Sequence, residues 1–305
     1  METGSRPIDS FDGGLDLSVT LESGQTYLWR RDDGRMYEND LEGSPWYYTV
    51  LPASETETNA PEVIRVRQTD DRLEWAASTP NACDRLEHLL RLDDDLDAIA
   101  EATPEDPLLD RAFEAHRGMR LVRDPPFGSL ISFICSAQMR VARIHGMQTA
   151  LAEAYGETVR FDGREYDAFP TPERLAEATE EGLRELSLGY RAPYVERTAE
   201  MVADGEAHPT EAVGLEYEAA RESLARFVGV GEKVADCVLL FSLGYLEAVP
   251  LDTWIRGTIE EHYPDCERGN YAETSRAIRA QFGGTYAGYA QTYVFHHLRT
   301  GADEA

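Results

Sequence analysis

Residues 15–22, LDLSVTLE, alternate apolar and polar positions without a break, the period-two pattern of a half-buried strand. Similar runs follow: SGQTYLWR from Ser23, then MYENDLEG, WYYTVLP, and the pair EVIRVRQ and DRLEWAA around a Thr69-Asp70-Asp71 turn. Together they predict an antiparallel sheet rich in aromatic side chains. An acidic, Pro-flanked loop, PASETETNAPE, interrupts the sheet and is expected to be solvated. Near Asn81 the period changes to that of a helix, and Asp93-Asp94-Asp95 is expected to start a helix in solvent. From Pro125 the chain reads as mainly helical. Phe127 to Ser136, FGSLISFICS, is too uniformly apolar to face water, and it breaks at Ala137-Gln138-Met139-Arg140. A second helix should run from Val141 to about Tyr155, with Gly156 as its stop. No internal repeat is visible. The pattern predicts an α+β protein: an N-terminal antiparallel β domain with a connecting helix over residues 1–110, then a helical domain over 111–305.

Composition narrows the setting. A chain of 305 residues that is 42% hydrophobic can bury a sizeable core. Its polar opening, METGSRPIDSFDGG, is unlike a secretory signal, and no apolar run reaches membrane-spanning length, so an intracellular, cytoplasmic protein is expected. The 57 acidic residues outnumber the 29 basic ones and give a net charge of −28, the opposite of the usual nucleic-acid binder. Such a composition resembles that of proteins from salt-in halophiles, a halophilic archaeon for example. There molar salt shortens the Debye length to about 3 Å and screens repulsion from a polyanion. Cys83, Cys135, Cys237 and Cys266 are too widely spaced for a zinc or iron-sulfur motif, and disulfides are not expected.

The 29 basic residues hide a second fact: only one of them, Lys233, is lysine. A lysine amine can lose its proton and attack carbon, which a guanidinium does poorly, so Lys233 is a nucleophile candidate. Apolar helical runs on either side of Val228-Gly229-Val230-Gly231 predict a helix, a glycine hairpin and a second helix with Lys233 in its first turn. The positive end of the helix dipole disfavours an ammonium at that place, and burial beside Val234 and Cys237 acts the same way. Gly229 and Gly231 leave backbone N–H groups open to a phosphate. Nineteen residues beyond the lysine stands Asp252, just before the helical run Thr253 to His262. It reads as a helix cap, and beside Lys233 also as a catalytic partner.

GVGEKVADC followed by AVPLDTW resembles the signature of the helix-hairpin-helix DNA glycosylase superfamily, and most closely that of its 8-oxoguanine DNA glycosylases. The resemblance runs through six blocks over nearly the whole chain. It implies that Lys233 forms a Schiff base, that Asp252 assists it, and that Cys237 lines one face of the base pocket. In SGQTYLW, Gly24 matches the residue whose carbonyl distinguishes 8-oxoguanine, which carries a hydrogen at N7, from guanine, which does not; a plain turn glycine is the alternative. In the last helix, Gln291 matches the glutamine that reads the base edge and Phe295 the ring that stacks on it.

Gln138 stands where the family usually has an asparagine that fills the hole left by the extruded base. Arg143 and Arg191 match arginines that contact the unpaired cytosine, and Tyr190 a wedge beside them; salt bridges and a core tyrosine are the plain alternatives. Trp254 replaces a phosphate-contacting histidine and is read either as packing or as one N–H donor. The resemblance implies a bifunctional glycosylase and abasic-site lyase for 8-oxoguanine in damaged duplex DNA. Such an enzyme would act as a monomer on the nucleoid, with no iron-sulfur cluster and with room for a monovalent cation at the hairpin. Another base of the same superfamily, or a non-catalytic helix-hairpin-helix DNA-binding module, are the competing readings.

Overall fold

The computed structural model describes residues 1–38, 43–56 and 58–301. Among them one antiparallel sheet has the order β1-β5-β4-β3-β2, from β1 (Glu2–Pro7), β2 (Arg30–Arg31), β3 (Tyr47–Leu51), β4 (Glu62–Gln68) and β5 (Arg72–Ala77). The last three are the strands that alternation predicts. Their odd and even positions serve two cores: Tyr47, Ile64, Val66 and Leu73 join the main one, whereas Val50, Val63 and Ala76 face the other side.

Three local readings are corrected. Residues 15–22 are not a strand: α1 (Leu17–Glu22) is a helix whose N-cap Asp16 accepts from Val19 N at 2.9 Å. Leu17, Thr20 and Leu21 are its buried positions, a helical spacing, and Gly24 at φ +96° ends it. The spacing of Leu15, Leu17, Val19 and Leu21 is that of a strand; the Asp16 cap and Gly24 override it. Consequently SGQTYLWR contributes only Arg30 to a strand. Of MYENDLEG, residues 39–42 lie outside the described residues and Met36–Glu38 form no strand. The loop 52–62, whose residue 57 lies outside the described residues, is partly drawn inward: Thr56 Oγ1 donates to Ala60 O at 2.7 Å, and Glu62 is buried.

Two strand segments escaped the pattern. In β1 half-buried and exposed residues alternate, and Gly4 lies so close under Trp75 that a Cβ would stand 2.3 Å from the indole. An edge strand of this kind has no apolar face to announce it. The other is a hairpin, β6 (Thr158–Phe161) and β7 (Arg164–Asp167), inside the stretch read as helical. Asp162 and Gly163 turn it with φ of 49° and 75°, so the Asp-Gly signal for a two-residue hairpin was present. Phe161 and Tyr166 cover Val50 and Val63 on the far face of the sheet.

The helices are α2 (Ala82–Leu89), α3 (Leu96–Ala102), α4 (Pro107–Ala115), α5 (Pro126–Cys135), α6 (Val141–Tyr155), α7 (Pro172–Ala176) and α8 (Glu180–Glu185). They continue with α9 (Ala192–Ala203), α10 (Tyr217–Leu224), α11 (Glu232–Val238), α12 (Thr253–His262), α13 (Tyr271–Gln281) and α14 (Ala287–Thr300). Asp95 caps α3 as the acidic run suggests, with Ala98 N 2.9 Å from its Oδ1, but Asp94 is turned inward to accept from the Tyr289 hydroxyl. Every side chain from Phe127 to Cys135 is buried, which makes α5 the centre of the helical part. Trp29, just before β2, and Leu73 of β5 belong to the same apolar core as Leu130 and Leu240.

Arg120 sits in that core fully buried. Its guanidinium donates to the carbonyls of Asp12, Gly14, Arg91 and Asp94 at 2.7–3.1 Å. Backbone acceptors thus satisfy all its donors and tie the first residues to the helical body. Among the described residues no helix is long and apolar enough to cross a membrane.

Candidate active site

The hairpin predicted from its glycines joins α10 to α11. Gly229 has φ +84°, and a Cβ on it would lie 2.8 Å from the Tyr194 ring, so glycine is required twice over. Gly231 opens α11 and places Lys233 in its first turn. The lysine is half-buried: Nζ donates to Ser136 Oγ, at the end of α5, at 3.0 Å and lies 5.7 Å above the Phe133 ring. Asp252 is the N-cap of α12, accepting from Ile255 N at 2.8 Å, while its side chain also borders the cavity that Lys233 enters. The cap reading of Asp252 therefore holds, and the same residue borders the cavity that Lys233 lines.

That cavity has a volume of about 690 Å³, open mouth included. Gly24, Lys233, Cys237, Asp252, Gln291 and Phe295 all line it, although the chain separates the first from the last by almost its whole length. Tyr27, Phe133, Met139, Val141 and Phe241 complete the wall. Burial pushes the Cys237 thiol up to about 11, against the nearby Lys233, so at neutral pH the sulfur presents a neutral face. Tyr27 is likewise held well above the ordinary tyrosine range by burial. Gln291 Oε1 is buried in the wall with no hydrogen-bond partner. An unpaired amide oxygen in the wall of an open cavity is an acceptor for something that enters.

Gly24 is not a turn between strands but the residue that stops α1, and it faces the cavity. A Cβ there would stand 3.1 Å from Val141 and 3.2 Å from Arg299. Gln25 fixes it from behind. Its Nε2 donates to Thr20 O at 2.9 Å and Arg120 O at 2.8 Å, and its Oε1 accepts from Val122 N at 2.8 Å. Sequence reasoning passed over Gln25, Tyr27 and Ser136. Ser136 could have been found as the polar end of an apolar helix; nothing local marks Gln25 as a brace, because the segment it is tied to, Arg120 to Val122, is about a hundred residues away.

The rim carries the other singled-out residues. Gln138 projects from the α5–α6 junction in the left-handed region at φ +56°, exposed. Arg143 is exposed and, among the described residues, its guanidinium makes no ion pair. Tyr190 is 53% exposed, edge-on to Tyr194. Arg191 differs: it is 3% exposed, donates from Nη2 to Ala137 O, and stacks 4.3 Å from the Tyr190 ring. It braces the loop that presents Gln138 and, among the described residues, makes no salt bridge. Trp254 is 39% exposed and packs edge-on against Phe295 at 5.1 Å, so packing is what it does in this structure. Among the described residues no cluster of three or more His, Cys, Asp or Glu is arranged to hold a metal ion.

Known proteins resemble this chain over nearly its whole length. Residues 131–282 match the family described as HhH-GPD superfamily base excision DNA repair protein, and residues 9–130 match the 8-oxoguanine DNA glycosylase N-terminal domain. A Methanothermobacter thermautotrophicus protein named "Probable N-glycosylase/DNA lyase" is 30% identical over 310 residues, 94% of each chain. The N-glycosylase/DNA lyase of Saccharomyces cerevisiae is 30% identical over 321 residues, 92% of this chain and 82% of the relative. The crystal structure of Clostridium acetobutylicum 8-oxoguanine glycosylase/lyase, in complex with double-stranded DNA containing cytosine opposite 8-oxoguanine, superposes with a TM-score of 0.80. The two are 28% identical, over 94% of this chain and 93% of that one.

Proposed function

We propose, from the premise that this chain belongs to the HhH-GPD superfamily of base excision DNA repair proteins and carries an 8-oxoguanine DNA glycosylase N-terminal domain, that it removes 8-oxoguanine from duplex DNA and then cleaves the abasic strand. The observation that carries the reading is the meeting of a primary amine, a carboxylate, an unpaired amide oxygen and a stacking ring at one cavity: Lys233, Asp252, Gln291 and Phe295.

The chemistry follows from those groups. The damaged nucleotide leaves the stack, at a cost of a few kcal/mol, and Gln138 and Tyr190 occupy the gap. Inside, the base lies between the Phe295 ring and the neutral Cys237 sulfur. The Gln291 oxygen accepts from its Watson-Crick edge, and the Gly24 carbonyl accepts the N7 hydrogen that guanine lacks. The neutral Lys233 amine attacks C1′ as the C1′–N9 bond breaks and the base departs with the bonding electrons. Asp252 stabilises the positive charge that develops on the sugar. Opening of the sugar ring, with O4′ taking a proton, leaves an iminium between Nζ and C1′. Loss of a C2′ proton then expels the 3′ phosphate by β-elimination. A glycosylase that activates water would have no use for this lysine.

At the rim, Arg143 offers a free fork of donors to O2 and N3 of the unpaired cytosine. Arg191 supports it through the Ala137 loop.

The net charge of −28 and the near-absence of lysine suit a protein that works in molar salt, where counterion release drives DNA binding only weakly and stacking and direct contacts dominate. Melting temperature and excision rate should both rise from low to molar salt; indifference to salt rejects this part. The enzyme is assigned to the cytoplasm as a monomer on nucleoid DNA, with no membrane partner and no resident cluster, and with at most a monovalent cation at the hairpin.

Borohydride trapping on duplexes with one 8-oxoguanine opposite cytosine, in high salt, tests the whole. A covalent complex with that lesion is expected. No complex with any damaged duplex leaves a DNA-binding module, and a complex with another lesion only leaves a different glycosylase.

A further inference from the structure

Behind the cavity lies a carboxylate to which the reaction above gives no part. Asp236 follows Lys233 by three residues on α11, precedes Cys237, and is fully buried. Its Oδ1 accepts from the Tyr217 hydroxyl of α10 at 2.6 Å and its Oδ2 from the Tyr271 hydroxyl of α13 at 2.7 Å. Arg221 of α10 stands 3.9 Å from Oδ2 and lies over both tyrosine rings, at 5.4 and 5.7 Å. Arg279 of α13 covers the Tyr217 ring at 4.0 Å. Two hydroxyl donors and a nearby guanidinium offset most of the cost of burying this acid.

The two tyrosines are not equivalent. The Tyr217 hydroxyl bonds Asp236 and neighbours Ser275 of α13, whereas the Tyr271 oxygen also accepts the backbone N–H of Leu251, beside Asp252, at 3.0 Å. Leu251 immediately precedes Asp252, in a stretch, residues 244–252, that belongs to no helix or strand. An unbroken path therefore leads from the helix that carries Lys233, through the Asp236 carboxylate and the Tyr271 hydroxyl, to the peptide that carries Asp252.

We propose that Asp236 and Tyr271 are positioning residues that set the Asp252 carboxylate relative to the Lys233 amine. Neither touches substrate; they act through Leu251 on where Asp252 points. The inference rests on the catalytic reading above. Its physical basis is that catalytic groups displaced by about 1 Å lose on the order of 10²-fold in rate, and that an irregular segment needs an external anchor to hold such a tolerance.

Tyr271→Phe and Tyr217→Phe each delete one hydroxyl that bonds the same carboxylate, but only the first also releases Leu251. Single-turnover excision from a duplex with one 8-oxoguanine opposite cytosine should fall about 10-fold or more in Tyr271→Phe. Affinity for a duplex bearing a tetrahydrofuran abasic analogue should not change. Tyr217→Phe should stay within about twofold of wild type, and adding Tyr271→Phe to Asp252→Asn should cost no more than about twofold further. Equal rate losses in the two tyrosine variants, or independent losses with Asp252→Asn, overturn the proposal and leave a purely structural network. Should Tyr271→Phe melt at the assay temperature, Asp236→Asn takes its place in the same cycle, with the same expected non-additivity and the same overturning result. A wild-type enzyme that releases no 8-oxoguanine rejects the functional reading itself, whereas a wrong ratio between variants of an active enzyme rejects only the positioning role.

Discussion

The pocket and its rim are built differently. In the pocket, Cys237, Gln291 and Tyr27 are buried, Gly24 is held from behind by Gln25, and Asp252 is locked as a cap. On the rim, Gln138, Arg143, Tyr190 and Trp254 are exposed, and of the residues there only Arg191 is buried. Under the proposed function, the groups assigned to chemistry and base choice are held in place before DNA arrives, as groups that must act within tenths of an ångström need to be. The rim instead exposes side chains that gain their partners only when a duplex supplies them. An acidic protein can hold both, since the pocket relies on shape and hydrogen bonds while the rim needs only a few free cations in the right places.

The comparison can be broken most sharply at the amine. Lys233→Gln should abolish borohydride trapping and slow excision by on the order of 10⁴-fold or more while leaving duplex affinity largely intact. Retained turnover would dismiss the nucleophile. Asp252→Asn keeps a good helix cap, so the melting temperature should hold while the single-turnover rate falls about 10²-fold or more; an unchanged rate would leave Asp252 a cap alone. Gln291→Ala removes the waiting acceptor, and the excision-rate ratio between 8-oxoguanine and an alkylated purine should drop about 10- to 100-fold, the equivalent of roughly 1–3 kcal/mol.

At the rim the two arginines should part company. Arg143→Ala is expected to weaken discrimination of cytosine from other opposite bases by roughly 1–3 kcal/mol with no change in melting. Arg191→Ala should instead lower the melting temperature, since removing its charged donor to Ala137 costs about 1–3 kcal/mol of folding stability. Identical behaviour of the two would erase the distinction between brace and reader. The smallest effect is expected for Trp254→Ala, about 0.5–1.5 kcal/mol from the lost edge-to-face contact with Phe295, read as a modest change in duplex affinity.

Much of this was legible in the chain. The Gly-x-Gly hairpin, the lysine in the first turn after it and the aspartate cap of the next helix are local features, and local features are written in adjacent residues. The break after α5, the start of α6 and its stop at Gly156 were equally plain. The failures also have causes. At residues 15–22 four apolar positions alternated as a strand does, and a cap and a positive-φ glycine overrode that pattern. The hairpin at Asp162-Gly163 carried a readable turn that the surrounding helices obscured. The edge strand β1, ETGSRP, carries no large apolar side chain on either face, so no alternation announces it.

By itself the sequence determined the local features: one lysine in the first turn of a helix, an aspartate cap on the next, and the glycines that let the backbone turn where they stand. Such properties belong to single residues and their near neighbours, so no fold is needed to state them. Only the tertiary structure decided that Gly24 and Phe295 share a wall, that Gln291 keeps an unpaired oxygen, that Arg191 looks inward while Arg143 looks out, and that Asp236 reaches Asp252 through Tyr271. Those facts depend on which distant segments exclude water together, and that is settled by packing of the whole core rather than by any stretch within it.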